Sequence, residues 1–334
     1  MQAAIYAPAG PELTADERSF FRDADPSGFI VFRRNCVDPD QLLRLTDELR
    51  AISGRDDVPI LIDQEGGRVA RMRPPAWPSF PTGEAFARLY QAAPSSAIEA
   101  ARANGRALGL TLRGCGINVN CLPLLDVRQE GASDIIGDRA LGSEPMQVAA
   151  LGRAILDGMA SAGVVGVVKH IPGHGRALVD SHKELPVVHA TEEELAVDLA
   201  PFERLRQAPM GMVAHILYTA WDAERPSSQS PAVIEDIIRG RIGFDGWLIS
   251  DDIGMEALSG SAGERAARTV EAGCDVTLHC NGKFDEMVDV AGRVGPLSAA
   301  GERRLQRAMA SAGDEEGPGF AEVVAKRDEL LALA

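Results

Sequence analysis

Eight short apolar runs punctuate the chain: Ala3–Ala7, Phe29–Phe32, Ile60–Ile62, Ile117–Leu122, Val164–Val168, Met210–Ala214, Trp247–Ile249 and Val276–Leu278. They read as buried strands, and helical patterns lie between them. Asp40–Ile52 repeats Leu42, Leu43, Leu45 and Leu49 at helical spacing, Ala97–Leu112 is alanine-rich, and Met146–Ala162 and Glu192–Arg206 follow. Eight β-then-α units predict an α/β fold of the TIM type, a (β/α)8 barrel, and 334 residues suit that fold with insertions. A doubly wound sheet is the alternative, weakened because no G-x-G-x-x-G turn follows any candidate strand. Beyond Gly295, two helical stretches separated by acidic and glycine residues are expected to pack outside the barrel. With no linker and no internal repeat, residues 1–334 are expected to form a single domain.

A barrel gathers its chemistry at the carboxyl ends of its strands, so polar residues there should converge although far apart in sequence. Asp63-Gln64-Glu65-Gly66-Gly67-Arg68 follows the third run, Asp126 lies past the fourth, Lys169-His170 end the fifth, His215 ends the sixth, and Asp251-Asp252 end the seventh. The densest stretch is Lys169-His170-Ile171-Pro172-Gly173-His174-Gly175, with Asp180-Ser181-His182 close behind. Pro172, Gly173 and Gly175 are expected to keep it an irregular loop. His170 and His174 are four apart, as in a zinc-binding helix, but Pro172-Gly173 forbids that helix, so no metal is expected. His174 is expected to brace the loop, and His189 to lie on the surface.

Composition narrows the function. A net charge of −15 without clustered Lys and Arg argues against a nucleic-acid partner. No run approaches the roughly 20 apolar residues of a membrane span, and the N-terminal stretch, already acidic at Glu12, Asp16 and Glu17, does not read as a signal peptide. Five cysteines scattered without C-x-x-C spacing read as free thiols. A cytoplasmic enzyme is the expectation, and nothing in the pattern implies an oligomeric state.

Three motifs, Ile62-Asp63-Gln64-Glu65-Gly66-Gly67-Arg68-Val69, the Lys169–Gly175 stretch with Asp180-Ser181-His182, and Ile249-Ser250-Asp251-Asp252-Ile253-Gly254-Met255, occur in the order found in family 3 glycoside hydrolases, which the chain resembles over most of its length. The resemblance implies a retaining β-N-acetylhexosaminidase with no cofactor, acting on a small saccharide such as an N-acetylglucosamine-containing muropeptide. It implies Asp251 as nucleophile, Asp180 and His182 as a proton-donating dyad, and Asp63, Arg71, Arg139, Lys169 and His170 as the groups that grip the sugar ring. The residues alone leave more open. Asp251 and Asp252 are nearly even as nucleophile, both could merely cap residues 254–258, a lone D-x-H fits a surface turn, and bare arginines default to solvated surface. Glu65 and Arg68, flanking Gly66-Gly67, could form a structural ion pair. A β-N-acetylglucosaminide phosphorylase is the alternative enzyme, since a histidine acid/base would not repel an anionic acceptor; a non-catalytic sugar-binding barrel is the third reading.

Overall fold

The computed structural model describes residues 1–181, 183–313 and 317–334. Among them are ten strands: β1 (Gln2–Tyr6), β2 (Pro26–Val31), β3 (Ile60–Ile62), β4 (Val119–Asn120), β5 (Val165–Ile171), β6 (Val187–Val188), β7 (Met210–Val213), β8 (Leu217–Tyr218), β9 (Trp247–Asp252) and β10 (Val276–His279). Eight close a barrel in the order β1-β10-β9-β7-β5-β4-β3-β2, with every neighbouring pair parallel. The expected (β/α)8 barrel is therefore observed, and each apolar run supplies one of its strands. β6 and β8 pair separately as a two-stranded sheet.

The runs are continuous because helices cover the barrel outside while side chains fill it inside, leaving no solvent face to demand alternation. Every residue of β2, β3 and β5 is buried. β4 is short for a local reason. On either side of Val119, side-chain amides replace part of the backbone ladder: Asn118 Oδ1 accepts from Ile60 N at 2.7 Å and Asn120 Oδ1 from Gln64 N at 3.0 Å. Their Nδ2 groups donate to the carbonyls of Val58 and Gln64, both at 3.0 Å. Each amide thus joins β4 to the β3 side as a peptide unit would.

The four patterned helices are present as Pro39–Ser53, Pro94–Arg113, Pro145–Ala160 and Glu192–Arg204. The tail forms Ala299–Met309 and Phe320–Leu331 on the outside. Arg327 Nη1 donates to Asn104 Oδ1 at 3.1 Å, and Arg106 Nε to the Pro318 carbonyl at 2.7 Å. One expectation is corrected. β5 does not stop at Val168 but runs to Ile171, so Lys169 and His170 are strand residues, and the irregular segment starts at Pro172. Pairing with carboxylates lets two polar side chains stay in a buried strand.

Candidate active site

A cavity of about 230 Å³ opens at the carboxyl ends of the barrel strands. Asp63, Arg71, Arg139, Lys169 and His170 all line it, and Asp251 does too. Glu65, His174, Ser181 and Asp252 line it as well. Drug-sized sites run to roughly 300–1,000 Å³, so this one suits a single small ring better than an extended ligand.

One wall is a chain of alternating charge. Asp63 Oδ2 accepts from Arg71 Nη2 at 3.0 Å, and Asp63 Oδ1 from Lys169 Nζ at 2.9 Å. Lys169 Nζ lies 2.7 Å from Glu65 Oε1, and Arg139 grips Glu65 with Nε and Nη2, both at 2.8 Å. Burial opposes charge on Asp63 and Glu65, but Lys169 together with Arg71 or Arg139 outweighs it and holds both carboxyls below their ordinary range. Burial likewise opposes the Lys169 ammonium, and the two carboxylates raise its pKa above the usual lysine value. All five groups are therefore ionised at neutral pH, with one positive charge in excess. Arg71 Nε is buried and has no protein partner among the described residues, a donor available to a ligand.

The turn after β3 brings Arg71 back to Asp63. Gln64 Oε1 accepts from the backbone N–H groups of Arg71 at 2.8 Å and Met72 at 3.0 Å, and its Nε2 donates to the Met72 carbonyl at 2.9 Å. Gly66 is required here: φ is 116°, and a Cβ would lie 2.1 Å from the Pro81 carbonyl oxygen. The turn separates Glu65 from Arg68, which pairs instead with Asp138 at 3.0 Å. The expected Glu65–Arg68 pair is corrected on that ground.

His170 is oriented from behind. Its Nδ1 lies 2.8 Å from Asp126 Oδ2, while Asp126 Oδ1 accepts from the backbone N–H groups of His170 at 3.2 Å and His174 at 2.6 Å. Asp126 is fully buried, yet the two histidines and these bonds overcome burial and bring its pKa down to about 2. An ionised Asp126 accepts a hydrogen bond from Nδ1–H and leaves Nε2 as the nitrogen available to the cavity. Asp126 was noted as a strand-end residue but not as part of the site; only the closed barrel puts it against His170.

β9 delivers the two aspartates differently. Asp252 Oδ1 accepts from the N–H groups of Gly254 at 2.9 Å and Cys280 at 3.2 Å, tying the turn after β9 to the end of β10. Burial and the neighbouring Asp251 push its pKa up to about 6, against those bonds. Asp251 Oδ1 accepts from Asp252 N at 2.8 Å. The expectation that Asp252 would cap the next helix is corrected: residues 254–258 form turns, so it caps a turn. His215 is fully buried below them, with Nε2 3.0 Å from the Asp252 carbonyl and Nδ1 2.6 Å from Ser228 Oγ. An Nε2–H donating to the carbonyl and an accepting Nδ1 satisfy both contacts with a neutral ring, and burial lowers the pKa.

Opposite the charged wall, His174 Nε2 lies 3.2 Å from Ser181 Oγ, the brace expected of it. Burial first, and the nearby His170 second, lower its pKa to about 4. Gly175 packs on the backbone of the segment after β4, where a Cβ would lie 1.9 Å from the Val127 carbonyl oxygen. This glycine permits close packing of the loop on that backbone. Half-buried Asp180 precedes Ser181, its carbonyl accepting from Lys183 N at 2.9 Å. His182 lies outside the described residues. His189 is exposed, and no group of three or more His, Cys, Asp or Glu that could hold a metal occurs among the described residues.

A closed parallel barrel whose strand ends converge on a charged cavity defines a class of enzyme scaffolds, and sequence comparison identifies which one. The model of the glycosyl hydrolase family 3 N-terminal domain matches residues 6–309, and the chain belongs to that family; it is a glycoside hydrolase. A β-hexosaminidase of Methylococcus capsulatus is 42% identical over 277 residues, 81% of this chain and 80% of the relative. One from Aromatoleum aromaticum is 39% identical over 308 residues, 91% of this chain and 85% of that protein. Among solved structures, NagZ from Neisseria gonorrhoeae in complex with N-trifluoroacetyl-D-glucosamine superposes with a TM-score of 0.87 at 32% identity, covering 99% of this chain and 98% of that one. No helix among the described residues is long and apolar enough to cross a membrane.

Proposed function

We propose that the protein is a retaining exo-β-N-acetylglucosaminidase that removes terminal N-acetylglucosamine from anhydro-muropeptides during peptidoglycan recycling in the cytoplasm. The observation that carries this reading is the pairing, across one small cavity, of a pre-ordered charged wall with the carboxylate of Asp251. Sugar hydroxyls need strong donors and acceptors to offset their desolvation, and ionised groups already locked to one another supply them with little reorganisation. Asp63, Arg71, Arg139, Lys169 and His170 hold the ring in this scheme. Asp251 is preferred over Asp252 because Asp252 is committed to the backbone of Gly254 and Cys280.

The Asp251 carboxylate attacks the anomeric carbon as the bond to the leaving oxygen breaks, and that oxygen takes a proton from His182. A glycosyl-aspartate ester results. Water then attacks the same carbon, gives its proton to His182, and releases Asp251, so two inversions leave the configuration unchanged. Asp180 favours the protonated imidazole by its charge.

The test combines product stereochemistry with trapping. Hydrolysis of a β-N-acetylglucosaminide followed by NMR should show the β-anomer first, and a 5-fluoro sugar should label Asp251, read by mass spectrometry of peptides. First release of the α-anomer, or a label on another residue, overturns the mechanism. Sugar 1-phosphate formed on adding phosphate would replace hydrolysis by phosphorolysis. Preference for anhydro-muropeptide over a simple N-acetylglucosamine disaccharide supports the recycling assignment, and the reverse preference counts against it.

A further inference from the structure

The segment leading to Asp180 and His182 is fastened by a contact that the chemistry above does not use. Tyr218 Oη donates to the Gly173 carbonyl, and Ala177 joins Val188, Leu195, Ala214, Ile216 and Tyr218 in a small apolar cluster separate from the barrel core. Between these anchors Arg176 reaches the helix Glu192–Arg204, its Nε 2.5 Å from Asp198 Oδ2 and its Nη2 2.9 Å from the Glu194 carbonyl. Beyond Ala177 the chain emerges, and Leu178 is 69% exposed. Arg176 is thus the last charged anchor before the dyad.

We propose that the Arg176–Asp198 pair is a latch that positions the loop bearing Asp180 and His182, which makes Arg176 a positioning residue for proton transfer. The inference rests on the reading of that dyad given above. Asp198 is only 2% exposed, and a carboxylate there carries a desolvation penalty that an apolar side chain would avoid. Adhesion alone therefore gives no reason for an ion pair. What the pair adds is direction: a guanidinium held by two bonds to one rigid helix fixes where Arg176, and the chain leaving it, can lie. The Asp198 Oδ1 atom is buried and unpartnered among the described residues, so the carboxylate depends on Arg176.

The experiment compares kcat/KM of Arg176→Ala, Arg176→Lys and Asp198→Asn on two N-acetylglucosaminides, one with an alkyl leaving group and one with a dinitrophenyl leaving group. Only the alkyl substrate needs a proton as its bond breaks. Arg176→Ala should fold, because burial already brings the Asp198 pKa up to about 6 in the presence of Arg176, so without the arginine it takes up a proton instead of remaining a buried charge. The alkyl substrate should slow about 10-fold or more, a fraction of the roughly 10²–10⁴ that proton transfer supplies, and the dinitrophenyl substrate less than about twofold. Arg176→Lys should recover part of the loss, Asp198→Asn should show the same split, and Arg176→Ala added to His182→Ala should lose nothing further. Equal losses on both substrates, no loss on either, or independent multiplication with His182→Ala overturns the latch. Wild-type enzyme inactive on both substrates would instead overturn the proposed function.

Discussion

The charged wall and the loop facing it are held by different means. Arg71, Asp63, Lys169, Glu65 and Arg139 form one unbroken series of ion pairs on strand ends and short turns, with the two inner carboxylates each shared by two cations. Segment 172–181 is held instead by separate contacts of mixed kind: Tyr218 on the Gly173 carbonyl, the His174 N–H on Asp126 and its ring against Ser181, Arg176 on Asp198 and the Glu194 carbonyl, and a six-residue apolar cluster. Redundant contacts suit groups that bind the same ring throughout a reaction. A proton donor must serve two steps and let the leaving group out, and separate contacts that do not lock one another suit that better. Loss of one group on the wall should therefore damage binding and stability together, whereas loss of the proton donor on the loop should damage turnover with little effect on either.

The largest effect is expected where the two sides meet. Asp251→Asn keeps the side-chain volume and removes the nucleophile, so kcat should fall at least about 10⁴-fold while N-acetylglucosamine still binds. Titration calorimetry and turnover on the same preparation check this. Turnover near wild type would reassign the nucleophile and remove the meeting point on which the comparison depends.

Lys169→Met is next and tests the wall. Asp63 keeps Arg71 and Glu65 keeps Arg139, so the penalty should sit near the low end of that for breaking a buried pair, about 3 kcal/mol of unfolding free energy, with sugar affinity lost as well. Urea unfolding and calorimetry measure both. Unchanged stability would mean that the wall is not the cooperative unit described. On the loop side, His182→Ala should slow poor leaving groups about 10²-fold and activated aryl groups far less, with the unfolding midpoint within a degree or two. Equal slowing of both, or a large fall in stability, would erase the contrast between the two sides.

The sequence carried the barrel well and the site unevenly, and the reasons are physical. Strands buried on both faces leave unbroken apolar runs, so all eight were legible, but β5 extends through Lys169 and His170, whose polarity conceals them from a hydrophobic pattern. They are tolerable in a buried strand only because Asp63, Glu65 and Asp126 meet them from the segments that follow β3 and β4. The three motifs pointed to the right residues, yet pairing could not be read along the chain: Glu65 stands three residues from Arg68 but binds Arg139, 74 residues away. Ser228 and Asp198 carry no sequence signal of their own, since what makes them matter is the residue that the fold sets against each.

The smallest expected effect concerns His174, within the loop itself. Its folded pKa, about 4, lies below the ordinary 6.5 because burial and then His170 disfavour the charged ring. Below pH 6.5 the unfolded chain takes up a proton that the folded protein refuses, so the contribution of this residue is complete above about 6.5 and is lost as pH falls toward 4. Asp252 and Asp198, both raised to about 6 from 3.8, act in the opposite sense: the folded protein binds their protons first, and their contributions grow as pH falls through 6. The wild-type profile therefore mixes opposing slopes, and a single curve would not isolate the histidine. The difference between wild type and His174→Gln does, because both aspartates are common to the two proteins. Between pH 6.5 and 5 the advantage of wild type over the variant should shrink by about 2 kcal/mol, measured by urea unfolding at both pH values. Catalysis gives the second reading: with Gln still able to bond Ser181, turnover on poor leaving groups should fall only a few-fold. A pH-independent stability gap would show that His174 titrates alike in the folded and unfolded chain. A loss as large as that of His182→Ala would make His174 the proton donor and the loop a different machine.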